Sequence, residues 1–126
     1  MRRIPSRWRE GDVVLLAGEG HAPIDLRAEA ALVRFLWRAS PLLTLAHDVG
    51  HGGLAVALAE AALWSGLGAE LELPDDDDGG EGGRAILACA PADVERLGSK
   101  GLRRLGVVGG DEICGFALDE LRGAWG

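Results

Sequence analysis

The chain has 126 residues, of which 48% are hydrophobic and 26% charged, and its formal net charge is −7. That length fits one domain with one core, and the hydrophobic content excludes wholesale disorder. The negative charge argues against general nucleic-acid binding, which depends on Lys and Arg. There is neither an apolar run of roughly 18 residues nor an apolar signal region after the arginines at the start. We therefore expect a cytoplasmic protein without membrane contacts.

The first ten residues differ in composition from the rest of the chain. They contain four arginines and Trp8, whereas the chain as a whole is acidic. We expect residues 1–10 to form an exposed basic arm or a docking edge. A single domain is predicted to follow, over residues 11–126.

The next segments predict a strand and an amphipathic helix. Val13–Ala17 is a run of five apolar residues, which is typical of a buried strand. Asp25 is a suitable N-cap for a helix over Leu26–Ala39, which Pro41 terminates. The apolar stripe expected to face the core consists of Leu26, Ala30, Val33 and Trp37.

A short strand, a glycine-rich corner and a second helix follow Pro41. Leucines at positions 42, 43 and 45 predict the strand, and residues 54–64 predict the helix. Glu60 is the only charged residue of that helix, so we expect other structure to cover it on more than one side. A partner chain could provide this cover by contacting Leu63 and Trp64, and the protein's own loops are the equal alternative.

The second half of the chain alternates short strands and helices. Residues 75–83 hold four acids followed by glycines and predict a solvated loop, because the ligand spacing of a calcium loop is absent. Cys89 and Cys114 lie in strand-like apolar stretches and are expected to be reduced core thiols. Strands are predicted at 70–73, 85–90, 105–108 and 112–114, with helices at 91–97 and 116–122. The pattern predicts an α+β fold in which helices are layered on a mixed β-sheet.

The corner between the second strand and the second helix, residues 47–53, concentrates the chemistry of the sequence. Its candidate ligand-binding residues are His47, Asp48, Gly50, His51, Gly52 and Gly53. In one interpretation the first amides of the helix hold a phosphate and Asp48 holds Mg²⁺. In a second, the two histidines and Asp48 ligate a transition metal. In a third, Asp48 caps the helix or turn while the histidines bond to backbone groups.

Two further polar residues have competing interpretations. Arg84 could bind a substrate phosphate, although a surface arginine at a strand edge is the favoured alternative. His21 lies in a loop and is expected to be solvated. No nucleophile–base pair and no G-x-x-x-x-G-K-[ST] loop is present, so no catalytic residue is predicted.

The corner also carries a family resemblance. HDVGHGGLAVALAE, residues 47–60, resembles the HDVSDGGLAVALAE-type signature in the last domain of phosphoribosylformylglycinamidine synthase, a relative of aminoimidazole ribonucleotide synthetase. Five other segments resemble the family in the same order: 11–16, 23–26, 68–70, 105–110 and 118–125. The chain departs from the family at Gly50 and His51, in the short loop 18–21, and in residues 81–84, which lack a phenylalanine.

The resemblance implies a fold and a function. The fold is that of the C-terminal domain of aminoimidazole ribonucleotide synthetase, which is partly ferredoxin-like. The function is a part of the ATP-dependent amidation of formylglycinamide ribonucleotide in purine biosynthesis, with ATP or ADP and magnesium at the corner and at Arg84. Because the family's preceding β-rich domain is not seen, the chain is expected to be a C-terminal domain or truncated form, inactive alone.

Two alternatives accompany this interpretation. The chain could be a divergent nucleotide-binding or partner-docking module without catalysis, or a structural domain whose site has decayed. The expected partners are a nucleotide or phosphate ligand, and either a second copy of the chain or a β-rich synthetase domain.

Overall fold

The structure is a computed structural model that describes residues 5–18, 26–50, 53–74, 83–98 and 101–125. Its helices are α1 (Leu26–Ala39), α2 (Gly53–Ser65), α3 (Val94–Leu97) and α4 (Leu118–Trp125), with 3-10 turns at Ser40–Leu42 and Pro91–Asp93. Its strands are β1 (Val13–Ala17), β2 (Leu43–Asp48), β3 (Ala69–Leu71), β4 (Ala85–Cys89), β5 (Leu102–Val108), β6 (Glu112–Ile113) and β7 (Phe116–Ala117). The predicted bounds of β1 and α1 are confirmed.

Five strands form the main sheet in the order β2-β4-β1-β5-β3, and β6 pairs with β7 in a separate hairpin. The α+β class is confirmed, but the sheet is antiparallel in every pair and not mixed. The reason is that β1 and β2, which α1 connects, run in the same direction but have β4 between them. Without α2, β3 and the C-terminal β6, β7 and α4, the remaining strands and helices follow the β-α-β-β-α-β order of a ferredoxin-like fold.

Helices cover both faces of the sheet. One core cluster joins Val13, Leu15 and Leu87 to side chains of α1 and α3. A second cluster joins Val14 and Leu16 to α2 and α4 on the opposite face. Because successive strand residues point to opposite faces, both clusters draw on β1, and all five of its residues are buried.

A bulge in β2 determines which side chains of this strand face which layer. The pairing with β4 shifts between Leu43 and Leu45, so Thr44 is the additional residue. Leu43 packs in the α1-side cluster and Leu45 in the α2-side cluster. The Thr44 hydroxyl donates to the buried Asp12 carboxylate at 2.5 Å and thereby links the starts of β1 and β2.

The predicted buried stripe of α1 is wrong. Leu26 is 80% exposed, Val33 49% and Trp37 54%, and Ala30 is also exposed. The side chains that pack on the sheet are instead Leu32, Phe35, Leu36 and Ala39. Because α1 carries apolar residues on two stripes, helical periodicity alone could not choose between them. The helix therefore leaves Val33 and Trp37 on the surface.

The expectation of an exposed Trp8 is also wrong. Trp8 is 2% exposed, and its indole N–H donates to the Leu67 carbonyl at 2.9 Å. Residues 5–7 lie along the outer edge of β2, where the Arg7 amide donates to the Thr44 carbonyl and the Ala46 amide donates to the Pro5 carbonyl. Thus the described end of the predicted arm belongs to the core and the sheet edge.

The two cysteines differ. Cys89 is buried as predicted, and burial, followed by the charges of Asp12 and Asp93, raises the pKa of its thiol. Cys114 is exposed, contrary to prediction, because it lies in the tight turn between β6 and β7 with φ 51°.

The acidic stretch 75–78 and Asp25 lie outside the described residues. Among the helices that are described, none has the length and apolar character that a membrane span needs.

The burial of Trp8 gives a stability prediction. Trp8→Ala should lower the free energy of unfolding by about 3–5 kcal/mol, because it leaves a cavity and removes the indole donor. Phe116→Ala is the matched control, since Phe116 is 53% exposed, and it should change stability by less than about 1 kcal/mol. Urea unfolding followed by circular dichroism measures both. Equal stability of the Trp8→Ala variant and the parent would contradict the packing of residues 5–10.

Candidate functional site

Pairing between β2 and β4 brings the predicted corner and Arg84 together. His47 lies opposite Ile86, Asp48 lies opposite Ala85, and the Val49 amide donates to the Arg84 carbonyl at 3.1 Å. Arg84 follows Val49 by 35 positions in the sequence, yet it borders the end of β2. His51 and Gly52 lie outside the described residues, as do His21, Glu81 and Gly82.

The candidate residues that are described do not all lie on one face of the sheet. Leu45 and Val49 belong to the α2-side core cluster, and Ala85 belongs to the α1-side cluster. Strand alternation therefore directs His47 and Arg84 toward the α2 side and Asp48 toward the α1 side. A ligand that contacts both Asp48 and Arg84 has to lie around the end of β2.

His47 is packed against α2. Its Nδ1 lies 2.6 Å from the Asp48 carbonyl oxygen, and its ring stacks on Trp64 with centroids 4.6 Å apart and planes at 14°. Its Nε2 lies 3.8 Å from the Glu60 carboxylate, beyond hydrogen-bond distance. The backbone contact agrees with the structural interpretation of this histidine. Glu60 and Trp64 were missed as site residues, although their spacing of four on a helix puts them on one face.

Asp48 is exposed at the end of β2. Within the described ranges, no donor is hydrogen-bonded to its carboxylate. Nor does that part of the chain contain a group of three or more His, Cys, Asp or Glu side chains that could hold a metal ion. Asp48 is thus an exposed single carboxylate within the described part of the chain.

The two described glycines of the corner have different roles. Gly53 begins α2 with φ 75°, is buried, and donates its amide to the Gly50 carbonyl at 3.1 Å. Its amide is thus already occupied, and the positive φ explains why glycine stands there. Gly50 is exposed, and a Cβ at this position would meet no atom of the described residues within 4 Å. Space is therefore open beside Gly50.

Arg84 is buried, at 6% exposure, so the expectation of a surface arginine is wrong. The residue before it is fixed from two sides. The Gly83 amide donates to the Glu29 carboxylate of α1, and Gly18 at the end of β1 lies directly against the Gly83 carbonyl. Neither Glu29 nor Gly18 was a predicted site residue, because these contacts join segments that are distant in sequence. They hold Arg84 beside the corner.

A cavity of about 570 Å³ lies next to the outer edge of β2. Val33, Leu36 and Trp37 of α1 line one side of it, and Trp64 of α2 lines another. His47 and Asp48 contribute at the end of β2, so the cavity adjoins the corner. We refer to this space as the β2 cavity.

A family model for AIR synthase related proteins, C-terminal domain, matches residues 16–112. The chain belongs to this family. It is also 36% identical over 160 aligned residues to a phosphoribosylformylglycinamidine synthase subunit PurL from a Nocardioides species, in an alignment that covers 98% of the chain. The alignment is longer than the chain itself, so that relative has residues in this region that the chain lacks. The chain spans 21% of the relative's length.

Two solved structures of PurL from Thermotoga maritima share the fold. The one complexed with ATP has a TM-score of 0.68 and 21% identity, over 84% of this chain and 23% of that one. The one complexed with FGAR has a TM-score of 0.71 and 16% identity, over 89% of this chain and 27% of that one. At these identities the likeness establishes the architecture and confirms the fold that the sequence signature implied.

The contact of Gly18 with Gly83 gives a prediction with a matched control. Gly18 and Gly11 have φ of +84° and +88°, but only at Gly18 would a Cβ collide, 1.7 Å from the Gly83 oxygen. Gly11→Ala should cost about 1–2 kcal/mol through backbone strain alone. Gly18→Ala should cost roughly 2–5 kcal/mol, because overpacking adds to the same strain. Urea denaturation compares them, and equal losses would contradict the close approach.

Proposed function

We propose that this chain provides nucleotide-phosphate contacts to a phosphoribosylformylglycinamidine synthase, which amidates formylglycinamide ribonucleotide with ATP. The observation that supports this most is the bond between the Val49 amide and the Arg84 carbonyl. This bond places the buried Arg84 beside the corner that precedes α2. The family match and the PurL relatives support the choice of enzyme, of which the chain spans about one fifth.

The phosphate end of the proposed site uses the start of α2. Amides in the first turn of a helix have no partner within the helix, and the helix dipole favours an anion there. The Gly53 amide already donates to the Gly50 carbonyl. The phosphate would therefore accept hydrogen bonds from later amides of the first turn, among them that of the exposed Ala55. Arg84 adds a planar, permanently charged group that can bind phosphate oxygens with two donors.

The cofactor we propose is ATP or ADP with Mg²⁺. Asp48 fits magnesium as one exposed carboxylate, provided that phosphate oxygens and water complete the coordination. In this enzyme family, ATP supplies the phosphoryl group that activates the amide oxygen before ammonia attacks. The residues of this chain bind and orient the nucleotide. None of them acts as an acid, base or nucleophile in the proposal.

A docking module without catalysis is the second candidate. Trp64 supports it, because this large apolar side chain of α2 is 49% exposed. Its neighbour Leu63 packs against the core and is therefore a weaker candidate for a contact. The partner would be a second copy or the β-rich synthetase domain. This candidate requires no nucleotide, so the binding experiment below separates it from the first.

Binding of ATP should depend on two exposed corner residues. In calorimetric titration with ATP, Asp48→Asn should weaken binding about tenfold when Mg²⁺ is present and little when it is absent, since only the metal contact is lost. Gly50→Val should weaken binding with or without metal, because its side chain fills the open space. Gly109→Val is the control, as a Cβ there also meets nothing within 4 Å.

If millimolar ATP with Mg²⁺ produces neither heat nor a thermal shift in the parent chain, the corner is structural. His47 and Asp48 would then serve only local packing and capping.

The chain by itself should not complete the reaction. It spans 21% of its PurL relative, and the proposal assigns it nucleotide contacts without a catalytic residue. Purified chain incubated with ATP, Mg²⁺, ammonia and formylglycinamide ribonucleotide should form no amidine above the rate of a heat-denatured sample. Steady ATP-dependent product formation that follows the chain through purification would contradict this.

A further inference from the structure

The β2 cavity has the size and composition of a small-molecule site. Its volume of about 570 Å³ lies within the range of roughly 300–1,000 Å³ that is common for ligand pockets. Its walls are mostly apolar, with Val33, Leu36, Trp37 and Trp64 as the large side chains. Such walls suit a flat, uncharged part of a ligand better than a phosphate group.

Two indole rings of the cavity are unusually accessible. Trp37 is 54% and Trp64 is 49% exposed, whereas Trp8 is almost completely buried. Exposed tryptophans that line one cavity from two different helices offer π faces to a planar ring. Stacking on aromatic side chains is the general means by which proteins bind nucleobases without reading their identity.

The cavity also has polar lining residues. They are Ser6 and Ser40, together with His47 and Asp48 at the end of β2. Asp48 also belongs to the corner, so a ligand in the cavity can extend from there toward the start of α2.

From this continuity we propose that the β2 cavity binds the base and sugar of the nucleotide, with Trp37 and Trp64 as stacking surfaces. The inference deepens the proposed function and rests on it for the phosphate end. It assigns base-stacking roles to two tryptophans whose residue type the family signature does not explain. It also gives a reason for the exposure of Val33 and Trp37, the apolar residues of α1 that do not pack on the sheet.

Adenosine tests the base end separately from the phosphate end. Calorimetric titration of the full chain with adenosine should give saturable binding. Trp37→Leu and Trp64→Leu should each weaken it by roughly 5- to 150-fold, equivalent to about 1–3 kcal/mol for base stacking. Phe116→Leu is the control, because Phe116 is an exposed aromatic residue that does not line the cavity, and it should leave adenosine affinity unchanged. Trp64 stacks on His47, so Trp64→Leu also changes the packing of that histidine. Trp37→Leu tests base stacking without this change.

Sodium tripolyphosphate provides the second arm. If adenosine binds with tryptophan dependence and tripolyphosphate does not bind, the base site stands and the phosphate site of the proposed function fails. If tripolyphosphate binds and adenosine does not, or if adenosine binds both tryptophan variants as tightly as the parent chain, the inference is overturned. Sedimentation velocity on the same variants detects the other occupant. A dimer that dissociates on Trp37→Leu, without adenosine binding by the parent, would assign the cavity to a second copy and also overturn the inference.

Discussion

The site depends on the antiparallel pairing of β4 with β2. β4 lies between β1 and β2, all five of its residues are buried, and helices pack on both faces around it. This pairing carries Arg84 to the end of β2, where the Val49 amide meets its carbonyl. Glu29 and Gly18 then hold the preceding Gly83 from two sides. A buried cation beside a helix start is thus a consequence of sheet order, because no local sequence pattern joins these segments.

The same architecture explains the cavity. β2 is an edge strand, and residues 5–7 pair along its outer side at residues 44–46. Among the described residues, side chains of α1 and α2, which lie on opposite faces of the sheet, line the cavity beside this edge. The Thr44 bulge changes the facing of the strand, so that His47 packs on α2. The bulge and the position of β2 at the edge of the sheet therefore decide which of the described groups a ligand can reach.

Sequence patterns predicted the elements well where one physical signal dominated. A five-residue apolar run identified β1, and the capping and proline signals gave α1 its correct bounds. The signature predicted the family and the ferredoxin-like relation. Burial was harder to predict. Periodicity could not decide between two apolar stripes on α1, and local charge made Trp8 look exposed although Leu67 accepts its indole N–H. Arg84 seemed a surface residue, because its burial arises from contacts with segments far away in the chain.

The proposed function requires that the corner and Arg84 bind one anion together. Amide NMR of the uniformly ¹⁵N-labelled chain, titrated with ATP and Mg²⁺, tests it most directly. We expect the largest chemical-shift changes at Val49, Gly50, Ala55 and Arg84, with the Trp37 and Trp64 indole signals shifting at the same ligand concentration. Amides of the β6–β7 hairpin should stay unchanged. Shifts confined to that hairpin, or a spectrum that ATP leaves unaltered, would contradict the account.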